Sequence, residues 1–252
     1  MNWSMSLSTR WFEVDCDFGV WLLLPREIPE DLWPDDLSWA LDHAQAVWND
    51  SGQRHRRRDV KNLTKLLLHH RAFMAERAWA HVAYLHLPDP LMEPLVVSVS
   101  AWRAQGPRDE ALRFYTCADL PGVDGPPEVA EFTTDGLGAG LRALSRPATL
   151  APAYWARVKA GLKGMPDPQA PWILSYAWRV EDDTDLNLFL ISPHGERVRG
   201  ALADVDAFAR GIRVVPDPDE GNADTGDGDE LLIEARSYLD VLDRMEELTE
   251  GL

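Results

Sequence analysis

Gly136, Gly138 and Gly140 form a GxGxG, the kind of spacing with which a strand–turn–helix unit brings backbone amides up to a phosphate. Pro147 cuts short the helix that such a cradle needs, so the three glycines read better as the source of positive φ in a hairpin turn. The histidines do not assemble by sequence either. His81 and His86 are five apart on an expected strand and fall on opposite faces, while His69 and His70 are adjacent on an expected helix and diverge. Cys16 and Cys117 are isolated, with neither a CxxC pair nor a His cluster at metal-ligand spacing, and read as reduced thiols. HExxH, GxSxG and Walker A patterns are absent. The sequence therefore assigns no catalytic residue, no metal ligand and no cofactor, and catalysis would need a group assembled from distant segments.

Charge is the other chemistry the chain offers. Arg54, Arg56, Arg57, Arg58, Lys61 and Lys65 crowd into twelve residues, and residues 54–77 carry a net +6. Such a run contacts phosphates or carboxylates, or forms a solvated helix start. Interleaved aromatics are missing, and the whole chain, at −17, repels nucleic acid. That acidity is concentrated: residues 217–252 hold thirteen Asp and Glu against two Arg, leaving −6 for the other 216 residues. The acids of 217–230 lack a calcium-loop register.

Around these residues the apolar pattern predicts the elements. Phe18 to Leu24 reads as a strand. The residues after Pro34 start a helix striped by Leu37, Ala40, Leu41, Ala44, Val47 and Trp48, and residues 59–77 form a second helix with Leu63, Leu67, His70 and Met74 on one face. Residues 80–87, 95–103 and 113–117 read as strands, 129–133 and 141–145 as a hairpin around the glycines, and 153–162 as a helix. Residues 172–180 and 185–191 form a second hairpin, turning at Glu181 to Thr184, with apolar residues on both faces. The helices of 37–77 and a helix at 200–211 are its expected covers, the last striped by Leu202, Val205, Phe208 and Ile212.

From Pro216 the composition turns to Pro, Gly and Asp, which reads as an acidic linker over 216–230. Beyond it, Leu231, Ala235, Tyr238, Leu242 and Met245 recur at four- and three-residue steps, so 231–252 reads as an acidic amphipathic helix whose apolar face binds a partner. The organisation expected is an α+β domain over 1–215, mainly an antiparallel sheet with helices on its faces and a helical insertion at 28–77, followed by linker and tethered helix. With 45% apolar residues the core needs no disulfide. No leader or membrane-length apolar run is read, which points to the cytoplasm.

The element order from 129 onward, carried by VAEFTTDGLGAGLRAL, WILSYAWRV, LNLFLIS and DVDAFARGIRVV, resembles the α/β/α sandwiches of the PsbP-like fold, shared with the small Ran-release factor and many uncharacterised actinobacterial, hence bacterial, proteins. The resemblance covers about a third of the chain. It implies a non-catalytic scaffold that binds other proteins and transfers no site residue.

The favoured expectation is a non-catalytic protein-binding or adaptor protein, using the acidic C-terminal helix or a surface rich in the eleven tryptophans. One alternative is a small-molecule hydrolase or transferase with a Trp- and His-lined cleft. Another is nucleic-acid contact through residues 54–65.

Overall fold

The computed structural model describes residues 11–25, 28–29, 31–75, 82–148 and 171–215. The fold is α+β, with mainly antiparallel sheet and helices on its faces. The chain divides into two compact units, one of Cys16–Val99 and the other of the residues up to Asp15 and from Ser100 onward.

In the Cys16–Val99 unit, strands β2 (Trp21–Leu24), β3 (Val82–His86) and the first part of β4 (Leu95–Arg103) pair antiparallel, Trp21 opposite His86 and His86 opposite Leu95. Helices α1 (Asp36–Asp50) and α2 (Arg57–Ala75) form the helical part of this unit. Their ends are written locally. Asp35 caps α1 by accepting the Ser38 amide at 2.7 Å, which satisfies a donor that the first turn leaves open. Gly52 takes φ +63° in the connection, a conformation that costs other residues more. The Asp59 carboxylate then accepts the Arg56 amide at 2.8 Å and starts α2. Trp39, Ala40, Ala44 and Trp48 of α1 and Val60, Leu63 and Leu67 of α2 are buried, and Arg71 ties the helices together through Asp36 at 2.9 Å.

In the other unit, strands β5 (Glu128–Thr134), β6 (Gly138–Ser145), β7 (Trp172–Val180) and β8 (Thr184–Ser192) form an antiparallel meander. Strand β1 (Trp11–Val14) pairs with β9 (Ile212–Val215). Helix α3 (Arg108–Tyr115) covers one face of β7 and β8: Asn187 donates to the Tyr115 carbonyl at 3.3 Å, and Ser175 to that of Thr116 at 3.0 Å. Helices α4 (Gly195–Gly200) and α5 (Leu202–Arg210) follow β8, and Asp206 of α5 receives Tyr176 at 2.5 Å and Arg142 at 2.7 Å from the opposite face. Both faces of β7 and β8 are therefore buried, as their two-sided apolar pattern requires.

Several expected elements are corrected. Residues 113–117 are not a strand: Pro107 and the acids Asp109 and Glu110 open a helix there, burying Ala111, Leu112 and Tyr115 at helical spacing. Ile212 leaves the helical stripe because Gly211 ends α5, its amide reaching Ala207 and Phe208, and Ile212 instead pairs with Val14 in β9. The strand read from Phe18 begins at Trp21, since Asp17 organises a turn through the Gly19 and Trp21 amides. The helix expected at 153–162 and the tethered helix at 231–252 lie outside the described residues.

Candidate groove between α1 and α2

Leu37, Leu41, Gln45 and Asn49 are each four residues apart and form one stripe along α1. They line a groove of about 1060 Å³ whose other wall is the first two turns of α2, namely Arg57, Arg58, Val60, Lys61 and Thr64, with His55 in the connection. Val60 and Thr64 are buried at its floor, and the Thr64 hydroxyl is spent on the Val60 carbonyl at 2.9 Å. Leu37 and Leu41 are not buried: they expose 56% and 41% of their surface.

The groove's charge is of one sign. Among the described residues no carboxylate lines it, and none of Arg54, Arg56, Arg57, Arg58, Lys61 and Lys65 is held in an ion pair. All six are exposed. Arg57, Arg58 and Lys61 line the groove, Lys65 follows Lys61 one turn on, and Arg54 and Arg56 stand in the connection. This basic run thus lies along an open apolar strip, a juxtaposition that sequence reading missed. Spacing alone does not show it, because Leu37 and Leu41 stand seven residues before Ala44 and Trp48, which are buried.

The groove contains one histidine, His55, whose Nδ1 is 3.3 Å from the Gln53 carbonyl oxygen and whose ring is 5.4 Å from that of Trp48. Among the described residues that line the groove, this set offers anion pairing and apolar contact. Elsewhere, Trp33 and Trp39 flank the His43 ring at 5.2 and 5.0 Å, and His43 Nδ1 is engaged with the Trp39 carbonyl.

The other sequence-based candidates separate. The glycines sit in the β5–β6 hairpin and strand β6, not a helix, follows, which corrects any phosphate cradle; of the three, Gly138 alone takes the positive φ, +75°, that the turn reading expects of all of them. Of the tryptophans whose side chains are described, Trp21, Trp39, Trp48, Trp102 and Trp178 are buried. Trp33 and Trp172 are half-buried, Trp33 bonded to Asp42 and Trp172 faced by the Arg146 and Arg199 guanidiniums. Leu231, Ala235, Tyr238, Leu242 and Met245 lie outside the described residues. Among the described residues no helix is long and apolar enough to cross a membrane. No protein-family model matches the chain, and a search of curated proteins finds no match to it.

Proposed function

We propose that the chain is a non-catalytic protein-binding adaptor whose α1–α2 groove receives an acidic amphipathic helix. One observation carries this reading: the exposed Leu37 and Leu41 beside Arg57, Arg58 and Lys61, which have no ion-pair partner among the described residues. An apolar strip next to fixed positive charge is complementary to a helix with leucines on one face and acids along its flank. Covering the exposed parts of the two leucines contributes roughly 2 kcal/mol each, and rim charges contribute mainly to encounter rate and choice of partner. A nucleic-acid backbone would use the same cations but gives the leucines no apolar face. The PsbP-like resemblance supports a binding role as well.

The test uses the full chain and a fluorescein-labelled twenty-residue probe with leucines at helical spacing and glutamates between them. Anisotropy should report binding that weakens by at least about tenfold in the Leu37→Asp, Leu41→Asp double variant and that falls as salt rises from about 0.05 to 0.5 M. The same probe with lysine for every glutamate should not bind. Unchanged affinity in the leucine variant overturns the groove as the docking surface, and tighter binding of a single-stranded oligonucleotide would move the function to nucleic acid. Arg57→Glu with Arg58→Glu gives a second variant should the leucine pair fold poorly.

A further inference from the structure

We propose that the α1–α2 groove is directional: it selects a partner helix that runs parallel to α1, with leucines in its N-terminal half over Leu37 and Leu41 and acids in its last turns at Asn49, His55, Arg57 and Arg58. This rests on the reading of the groove as a docking surface for an acidic amphipathic helix and adds which kind of helix it accepts, and in which orientation.

The direction comes first from how the two helices are set. They run antiparallel: Arg71 near the end of α2 holds Asp36 at the start of α1 at 2.9 Å, and His55, just ahead of α2, has its ring 5.4 Å from that of Trp48 near the end of α1. The first turns of α2 therefore stand opposite the last turns of α1. Gln45 and Asn49, both exposed, share that end of the groove with His55, Arg57 and Arg58. Leu37 and Leu41 form the other end, and the rise of a helix places Leu37 about 18 Å from Asn49. The acids at the cationic end stay out of it. Among the described residues neither Asp50 nor Asp59 lines the groove, and Asp59 is engaged with the Arg56 amide at 2.8 Å.

A bound helix is no more symmetric than its groove. Its C-terminus carries about half a negative charge and four carbonyls without intrahelical partners, while its N-terminus carries the opposite sign and four free N–H groups. Arginine donates and does not accept, so Arg57 and Arg58 suit the carbonyls, the terminal carboxylate and the acids of a last turn, with bidentate pairing available to each carboxylate. The side-chain amides of Gln45 and Asn49 donate to the same groups. In the reverse orientation the positive end of the ligand meets two guanidiniums, and its leucines lie over Gln45 and Asn49 instead of Leu37 and Leu41. A helix with leucines first and acids last thus satisfies both ends of the groove in one orientation only.

The test follows a probe of about fifteen residues, matched to the length of α1, with leucines at helical spacing in its first half and glutamates in its second. Two versions carry benzoylphenylalanine at the N-terminus or at the C-terminus. Irradiated with the full chain and mapped by peptide mass spectrometry, the C-terminal label should attach within residues 45–58, and the N-terminal label within residues 36–41 or the facing turns of α2, 64–71. The opposite map, or both labels attaching equally at both ends, overturns the proposal.

Affinity gives a second readout. In anisotropy, a probe of reversed sequence, with the same composition but acids first, should bind roughly three- to tenfold more weakly than the forward probe. The full-chain variant Arg57→Gln, Arg58→Gln should bind the two alike, and a preference that survives in it overturns the assignment of direction to these arginines. Equal affinity of the unmodified chain for both probes leaves the groove as a docking surface and removes its direction. Absence of crosslinks to α1 and α2 from either label removes the docking surface itself.

Discussion

Single side chains show where this protein spends polar groups inside its core. Asp185 is fully buried and Arg179 nearly so, joined at 2.7 and 2.8 Å through both carboxylate oxygens. The remaining guanidinium donors reach the Gly106 and Gln105 carbonyls at 2.9 and 3.1 Å, and the Asp185 bond is the main cause of the raised Arg179 pKa. Removing one partner leaves a buried charge without its counterion. Asp185→Ala should therefore cost about 3–5 kcal/mol in chemical denaturation, with the double change Arg179→Met, Asp185→Leu recovering most of it. A loss under about 1 kcal/mol in the single variant would show that water replaces the carboxylate. His70 supplies a pH response. Burial, with a smaller contribution from neighbouring His69, lowers its pKa from 6.5 to about 4. Because the folded state then binds the proton more weakly than the unfolded one, stability is complete above the unfolded value and declines as pH falls from 6.5 toward 4. The decline should total roughly 2 kcal/mol after allowing for partial exposure, and His70→Gln should flatten that limb of the stability–pH curve. An unchanged limb in the variant would place the titrating group elsewhere.

At the scale of elements, close approach of backbones decides more than propensity. A Cβ on Gly140 would meet the Ala177 carbonyl oxygen and the Trp178 ring across the β6–β7 pair. Gly140→Ala should thus lower stability by about 2 kcal/mol or more, read from the thermal or denaturant midpoint, and a neutral result would mean that β6 shifts freely. The hairpins over 128–145 and 172–192 were legible because strand-length apolar runs there are bounded by Gly or acidic turns; Glu181 and Asp182 do take positive φ in the second one. Helix α3 was not legible, since the short window Arg113 to Cys117 is rich in residues that favour strands while its helix signals, Pro107 and the acids of the first turn, lie just upstream. Strand β9 was missed because Ile212 continues the spacing of α5 by one step beyond Gly211. The basic half of the candidate site was visible as a charge run. Its apolar half was hidden, because Leu37 and Leu41 continue the apolar spacing of Ala44 and Trp48, and only the structure shows that Trp39, Ala40, Ala44 and Trp48 are buried while the two leucines stay exposed.

Across the whole molecule, opposite charges are sorted along the sequence. The segment from 54 to 77 is +6 and the segment from 217 to 252 is −11, so the two signs are carried by separate stretches of the chain. Charge of this kind steers encounter over a screening length of about 10 Å in 0.1 M salt, while the exposed leucines decide what stays bound. The most direct measurement is hydrogen exchange on the full chain, with and without saturating acidic amphipathic probe peptide. Docking in the groove predicts added protection confined to residues 37–49 and 55–64, abolished by Leu37→Asp with Leu41→Asp. Protection centred on any other element, or binding without protection in α1 and α2, would contradict it.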